Sequence, residues 1–237
     1  MLRFVRSVRA LVFTSVVATS LSASVASAQV GHLPSKSPYE DLKVGQDFTF
    51  LLGYFNADVG PAGVLPKASA FGGIRYDLPI GGPGFLTARY ILVPSQRNYL
   101  LPSKPTKTRV LGTLDTKTHV TDIGFTVALT GRKTWHRLLP ALSVGTGFAS
   151  DFAKADTGGY KFGTKFAFTG GGSVRYVLRN GLSVRAEATN YLWRNSYPDA
   201  YFAAASDTTR VLTDSRQKKA WAGTWAWSLG MVFPIFR

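Results

Sequence analysis

From residue 221 to the C-terminus a large apolar side chain recurs at nearly every odd position: Trp221, Trp225, Trp227, Leu229, Met231, Phe233 and Ile235. Ala222, Thr224, Ala226, Ser228 and Gly230 occupy the even positions between them. A two-residue period belongs to an extended strand with one oily face and one small or polar face. Such a strand is too long and too aromatic to be the edge of a soluble sheet, so its oily face is expected to meet lipid. Strands survive in lipid only when closed pairing satisfies their backbone, which demands a barrel.

Read backward, the same period yields seven more strands. Phe48, Phe50, Leu52 and Tyr54 share a face in the first, near 46–57. The second, 67–78, sets Ala68, Ala70, Ile74, Tyr76 and Leu78 against Ser69, Gly73, Arg75 and Asp77; the third, 85–93, sets Leu86, Ala88, Tyr90 and Leu92 against Thr87, Arg89 and Ile91. Ile123, Phe125, Val127 and Leu129 oppose Asp122, Gly124 and Thr126 in the fourth, and Leu142, Val144 and Phe148 oppose Ser143, Gly145 and Gly147 in the fifth. The sixth and seventh turn Thr169, Ser173, Arg175, Ser183, Arg185, Glu187 and Thr189 away from Phe166, Phe168, Val174, Tyr176, Val184, Ala186, Ala188 and Leu192.

Connections 79–84, 180–181 and the turn holding Gly131 and Pro140 are short, whereas 58–66, 94–117, 151–165 and 196–218 are long. Short turns at one end and long loops at the other match the periplasmic and external rims of an outer-membrane barrel. The expected fold is therefore all-β: a transmembrane eight-stranded antiparallel up-and-down β-barrel. A soluble, lipocalin-like barrel would turn its apolar face inward. Here Arg75, Asp77, Arg89, Asp122, Arg175, Arg185 and Glu187 all oppose the apolar stripe, and inside a narrow barrel they can pair with one another as a lumen charge network.

The N-terminus supports export. Arg3, Arg6 and Arg9 precede the apolar run 10–17 and the small-residue sequence Ala26-Ser27-Ala28, which reads as a cleaved signal peptide. The expected division is 1–28 signal peptide, 29–45 periplasmic N-terminal segment and 46–237 outer-membrane barrel domain. The chain carries a formal charge of +15, and the leader holds three arginines and no acid, so the mature chain is left at +12. Zero cysteines exclude disulfides and thiolate metal sites. A mean hydropathy of +0.04 is what alternating lipid-facing and lumen-facing residues average to.

Strand count, loop asymmetry, leader and final strand together resemble the small outer-membrane barrels of the OmpA and OmpX type, a resemblance covering essentially all of the mature chain. In that family the last strand carries a signal read by the barrel assembly machinery, and Gly230, Phe233, Ile235 and Phe236 look similar to it. Arg237 after the final Phe, and Ile235 where an aromatic is usual, are departures. Paired lumen charges are also common in the family, and Arg185 with Glu187 resemble such members. The chain stops at the eighth strand, so the peptidoglycan-binding domain of longer members is not expected.

Small barrels that modify lipid A use a histidine near the outer rim. Of His32, His119 and His136, only His119 is expected on that side, and alternation places it on the face opposite Asp122. No catalytic residue, cofactor site or metal site is expected: Asp151, Asp156, Asp207 and Asp214 are scattered without a calcium-loop repeat. Gly170-Gly171-Gly172 lies within a strand, so it is read as easing curvature or a bulge and not as a phosphate cradle.

Basic residues crowd the long connections: Arg97, Lys104, Lys107, Arg109 and Lys117 in the second, Lys154, Lys161 and Lys165 in the third, Arg210, Arg216, Lys218 and Lys219 in the fourth. Facing anionic glycolipid they would be attracted to head groups, whereas nothing suggests nucleic acid. Trp193, Trp221 and Trp225 at the outer rim, and Tyr76, Phe85, Tyr176 and Phe233 at the inner, are expected to form interfacial girdles. The leading expectation is a monomeric, noncatalytic outer-membrane barrel, serving envelope integrity or surface interaction, that contacts lipid and lipopolysaccharide and meets the assembly machinery during insertion. The alternatives are a narrow pore or hydrophobic-solute conduit, and a lipid A modifying enzyme.

Overall fold

The computed structural model describes residues 37–43, 45–178 and 181–236. The expected signal peptide, His32, Asn180 and Arg237 lie outside the described residues, as does the side chain of Phe236. From residue 39 onward the chain forms β1 (Tyr39–Asp41), β2 (Gln46–Asn56), β3 (Ser69–Gly81), β4 (Gly84–Leu100) and β5 (Val110–Ala128). There follow β6 (Lys133–Trp135), β7 (Leu138–Ser150), β8 (Thr164–Val177), β9 (Ser183–Ser196) and β10 (Lys219–Phe236).

Strands β2, β3, β4, β5, β7, β8, β9 and β10 pair in that order, each antiparallel to its neighbours, and β10 returns to pair with β2. This is a closed eight-stranded up-and-down barrel. The remaining two strands make a small ribbon on the short-turn rim, with Tyr39 opposite Trp135 and Asp41 opposite Lys133. The chain turns from β3 to β4 through Gly81 and Gly82, both at positive φ, a conformation open to glycine at no steric penalty.

Alternation holds around the wall. Leu51 is 2% exposed and its neighbour Leu52 is 73% exposed, so one points into the barrel and the other out. Phe50, Ile123, Phe125, Leu142, Val144, Trp227 and Leu229 share the outward orientation, giving the exterior an apolar band. Only a hydrocarbon surround makes that band favourable, and the charged lumen opposite it completes the pattern of a transmembrane barrel.

The wall is tightly coiled. A Cβ on Gly147 would fall 2.1 Å from the Thr121 carbonyl oxygen, and one on Gly171 would fall 2.2 Å from that of Ala188. Glycine is therefore required where neighbouring strands approach most closely. The Gly170-Gly171-Gly172 run pairs with both neighbours without a register break, so it accommodates close approach and contains no bulge.

Two expectations need correction. Residues 94–117 are mostly not loop: β4 continues to Leu100 and β5 begins at Val110, because Ser95, Gln96, Arg97 and Asn98 keep pairing with Thr116, Asp115, Leu114 and Thr113 beyond the membrane band. Trp193 and Phe85 do not belong to the girdles. Both sit on the lumen face of their strands and are buried inside the barrel, where the period of two places them once strand phase is fixed.

Candidate functional site

All seven predicted lumen charges point inward and are buried. Six of them form a chain of alternating sign across the barrel. Arg185 meets Asp77 at 2.6 Å, Asp77 meets Arg75 at 2.8 Å, and Arg75 meets Glu187 at 2.7 Å. Glu187 continues to Arg89 at 2.7 Å, and Arg89 approaches Asp122 at 3.7 Å. Because β3 and β9 are not neighbours in the sheet, the links from Asp77 to Arg185 and from Arg75 to Glu187 tie separate parts of the wall together.

Hydroxyls fill much of the remaining hydrogen-bonding capacity. Thr87 donates to Asp77 at 2.7 Å, Thr189 donates to Glu187 at 2.9 Å, and Tyr191 donates to Asp122 at 3.1 Å. Arg75 also donates to Thr126 at 2.9 Å. The seventh predicted residue, Arg175, binds a partner that the sequence reading missed, Asp47 on β2. With Asp47 included, Arg75, Arg89, Arg175 and Arg185 face Asp47, Asp77, Asp122 and Glu187, so the inner lumen balances in charge. That balance was the available signal: the predicted set had four arginines against three acids, and alternation from Phe48 turns Asp47 inward.

Above the charges the filling changes character. Leu51, Phe55, Phe71, Ile91, Val93, Val120, Tyr191 and Trp193 from the wall pack with residues of the external connections, among them Val64, Leu65, Tyr160, Phe162, Tyr201 and Leu212. Trp193 stacks on Phe55 at 6.0 Å and meets the edge of Phe162 at 5.9 Å. Tyr160 and Tyr201 each stack on Tyr197 and are tilted toward one another, and Arg97 lies 5.3 Å over the Tyr160 ring while pairing with Asp156 at 2.6 Å. Burial pushes the Tyr197 hydroxyl up to about 12 and raises those of Tyr160 and Tyr201 as well. The outer half of the lumen is thus an apolar and aromatic core roofed by the loops, where a purely charged filling had been expected.

Several predicted loop cations are internal. Arg97, Arg109 and Lys165 are all buried: Arg97 is held by Asp156, Arg109 donates to Thr209 at 2.6 Å, and Lys165 lies 4.7 Å over the Phe162 ring. Arg97 and Arg109 tie separate segments together, and burial keeps all three away from lipid head groups. A related tie joins the tip of the β4–β5 hairpin to the segment before β10, where Asp207 accepts from the Thr106 amide at 2.8 Å and the Thr209 hydroxyl at 2.6 Å.

The bond from the Thr209 hydroxyl, followed by that from the Thr106 amide, holds the Asp207 carboxyl at about 2, below its ordinary 3.8. A depressed carboxyl contributes fully above the unfolded value and loses its contribution as pH falls through the folded one. The Thr106 amide should therefore keep its exchange protection from neutral pH to about pH 4 and lose it on approach to pH 2. Amide hydrogen exchange corrected for intrinsic rate tests this, and protection unchanged by Asp207→Ala would contradict it.

At the opposite mouth, Leu42 packs on Phe85, Ala128 and Leu139. Beside them Asp77, Arg175 and Arg185 line a cavity of about 20 Å³, room for about one water molecule. His119 faces outward, its Nδ1 2.8 Å from the Tyr90 hydroxyl and its ring 5.3 Å from that of Phe152, while Asp122 is engaged inside the barrel. Of the proposed assembly signal, Phe233 and Ile235 point outward. Gly230 lies inward, where a Cβ would come within 2.7 Å of the Phe50 carbonyl oxygen and the Thr49 methyl, so packing alone requires glycine there. Phe236 pairs with Gln46 after a register shift.

No protein-family profile matches this chain, and no curated protein does. Among solved structures it is similar to the outer membrane protein OprG from Pseudomonas aeruginosa, over 82% of this chain and 99% of that one, at 13% identity and a TM-score of 0.45. It is also similar to the outer membrane enzyme PagL, over 80% and 99% of the two chains, at 15% identity and a TM-score of 0.36. A third likeness is to the Yersinia pestis outer membrane protein Ail in a phospholipid bilayer nanodisc, over 80% and 100%, at 12% identity and a TM-score of 0.37. These likenesses concern the fold alone.

Proposed function

We propose that this chain is a monomeric, noncatalytic integral barrel of the outer membrane, serving envelope integrity or surface interaction through its external loops. The observation carrying this reading is a lumen occupied along its length, by the balanced charge chain toward one mouth and the aromatic core toward the other. An eight-stranded barrel so filled leaves no water column for ions. The apolar exterior supports its place in lipid, and lysines still exposed on the loops, such as Lys104, Lys107, Lys154 and Lys161, suit contact with lipopolysaccharide. Gly230, Phe233, Ile235 and Phe236 serve the assembly machinery during insertion in this reading, and the lumen charges act as a structural plug.

The noncatalytic assignment is supported by His119, whose imidazole contacts Tyr90 and Phe152 while the neighbouring carboxylate points into the barrel. Purified protein in a planar bilayer should stay electrically silent, and lipid A from cells with and without it should give identical mass spectra. Steady unitary conductance would overturn the filled-lumen reading; an altered lipid A would overturn the noncatalytic one.

One observation favours the hydrophobic-solute conduit as a second reading. β2 pairs with β10 only as far as Trp225, and beside the segment of β10 beyond it lies a small cavity lined by Phe55, Val93, Phe162, Trp193 and Gly223. Transfer of an apolar dye into protein-containing vesicles, faster than into protein-free ones, would favour that reading.

A further inference from the structure

The lipid-facing wall is not uniformly convex. On its β7–β10 side lies a groove of about 740 Å³, with Gly172 and Ala188 on its floor and Leu142, Val174, Trp227 and Leu229 rising around it. Register explains the shape: Leu142, Gly172, Ala188 and Trp227 stand side by side on four consecutive strands, so two small residues separate two large ones. The next row outward is Val144, Gly170, Asn190 and Trp225. It places a half-buried amide among the apolar side chains of that row. The Asn190 side chain leans over Gly223, where a Cβ would lie 3.3 Å from its Oδ1 and 3.4 Å from its Nδ2.

Further out on the same two strands stand Arg194 and Lys219, both exposed and on the outward face, neither in an ion pair among the described residues. Trp221 is the cross-strand partner of Arg194 and Phe168 lies opposite Leu192 one row deeper, and the rings of Phe166, Phe168 and Trp221 meet in series at 5.0 and 6.0 Å, as expected at a membrane interface. Four residues separate Arg194 from Asn190, which is about 13 Å along a strand and about 10 Å of depth at the usual tilt. Six residues separate Arg194 from Ala188 on the groove floor, about 15 Å of depth on the same basis, comparable to one leaflet of hydrocarbon.

We propose that this face is a binding site for a phosphorylated glycolipid of the outer leaflet, a partner chemistry that rests on the outer-membrane reading above. Arg194 and Lys219 take the phosphate, Asn190 hydrogen-bonds a polar group carried on the acyl chain, and that chain lies in the groove between Leu142 and Trp227. The depth of Asn190 selects the lipid class. A glycerophospholipid has no hydrogen-bonding group below its glycerol esters, whereas a glycolipid with hydroxylated or branched acyl chains carries one further down. An amide facing plain hydrocarbon would have its donors unsatisfied, at a penalty that such a chain removes.

Native mass spectrometry of the folded full chain, released from micelles doped with equal amounts of diphosphorylated lipid A and phosphatidylglycerol, tests the assignment. One lipid A should remain bound at energies that strip phosphatidylglycerol. Asn190→Leu, the groove-filling Ala188→Leu and the double variant Arg194→Ala/Lys219→Ala should each weaken retention about tenfold, the scale of a lost charged hydrogen bond. Heat-modifiable gel mobility reports that each variant is folded. Equal retention of both lipids, variants that bind as the parent does, or a second copy of the chain cross-linked through Trp227 would each overturn the proposal. A barrel that inserts and stays silent yet retains no lipid A would reject this site while leaving the proposed function standing.

Discussion

Replacing Glu187 with alanine is expected to destabilise the barrel by about 3–5 kcal/mol, the range for removing one partner of a buried pair. Glu187 is the hinge of the charge chain: its two oxygens meet Arg75 and Arg89, both at 2.7 Å, and it accepts from Thr189. Its loss leaves two buried guanidinium groups with a single remaining carboxylate neighbour each, Asp77 at 2.8 Å and Asp122 at 3.7 Å. The Coulombic gain of a buried pair is largely offset by desolvation, so the effect comes from the uncompensated charge left behind. Urea unfolding in lipid vesicles, followed by tryptophan fluorescence, measures it. Combining Glu187→Ala with Arg89→Met should recover part of the loss, since it restores neutrality and replaces a stranded charge by apolar volume. A single variant that unfolds at the parental urea concentration would show that the network does not hold the wall together.

How far the chain could be read in advance follows from which signals are local. Alternation is local, so the strands, the outward band and the inward face of Arg75, Arg89, Arg185 and Glu187 were visible in the order of residues. Pairing partners are not local. Nothing between Val184 and Ala186 tells Arg185 that Asp77, 108 residues away, will sit opposite it, and only the closed register brings them to 2.6 Å. Asp47 is hard to read as a lumen charge because its strand face continues as Thr49, Leu51, Gly53 and Phe55, which reads as apolar unless the arginine count is made to balance.

The aromatic roof is illegible in the sequence for a different reason. Tyr160, Phe162, Tyr197 and Tyr201 stand in connections without periodicity, where sequence offers no rule for which ring turns inward. Tryptophan at a strand end usually marks the interface, and on that rule alone Trp193 reads as a girdle residue. Its position two residues beyond Tyr191, in phase with Glu187 and Thr189, placed it inside; phase outweighs residue type.

That same residue gives the second large effect. Trp193→Ala is expected to cost about 3–5 kcal/mol, the range for deleting a large buried aromatic. Trp193 is 4% exposed and joins three parts of the fold, its own strand β9, Phe55 on β2 and Phe162 in the β7–β8 connection. It also borders the small cavity next to Gly223, so removing the indole enlarges a space that already exists, which limits collapse around the gap and keeps the penalty high. The damage should stay in the outer half. Lys154 and Lys161, in the connection that Phe162 anchors, should become faster sites of trypsin cleavage while the unfolding of the wall remains cooperative. Conductance should stay absent, because the charge chain from Arg185 to Asp122 lies on the other side of the gap and still closes the lumen. Trp193→Phe, which keeps a ring against Phe55, should lose less than half as much. Loops as resistant to trypsin in Trp193→Ala as in the parent would mean that the roof is held by the strand ends alone, and the aromatic core would have to be read as filler.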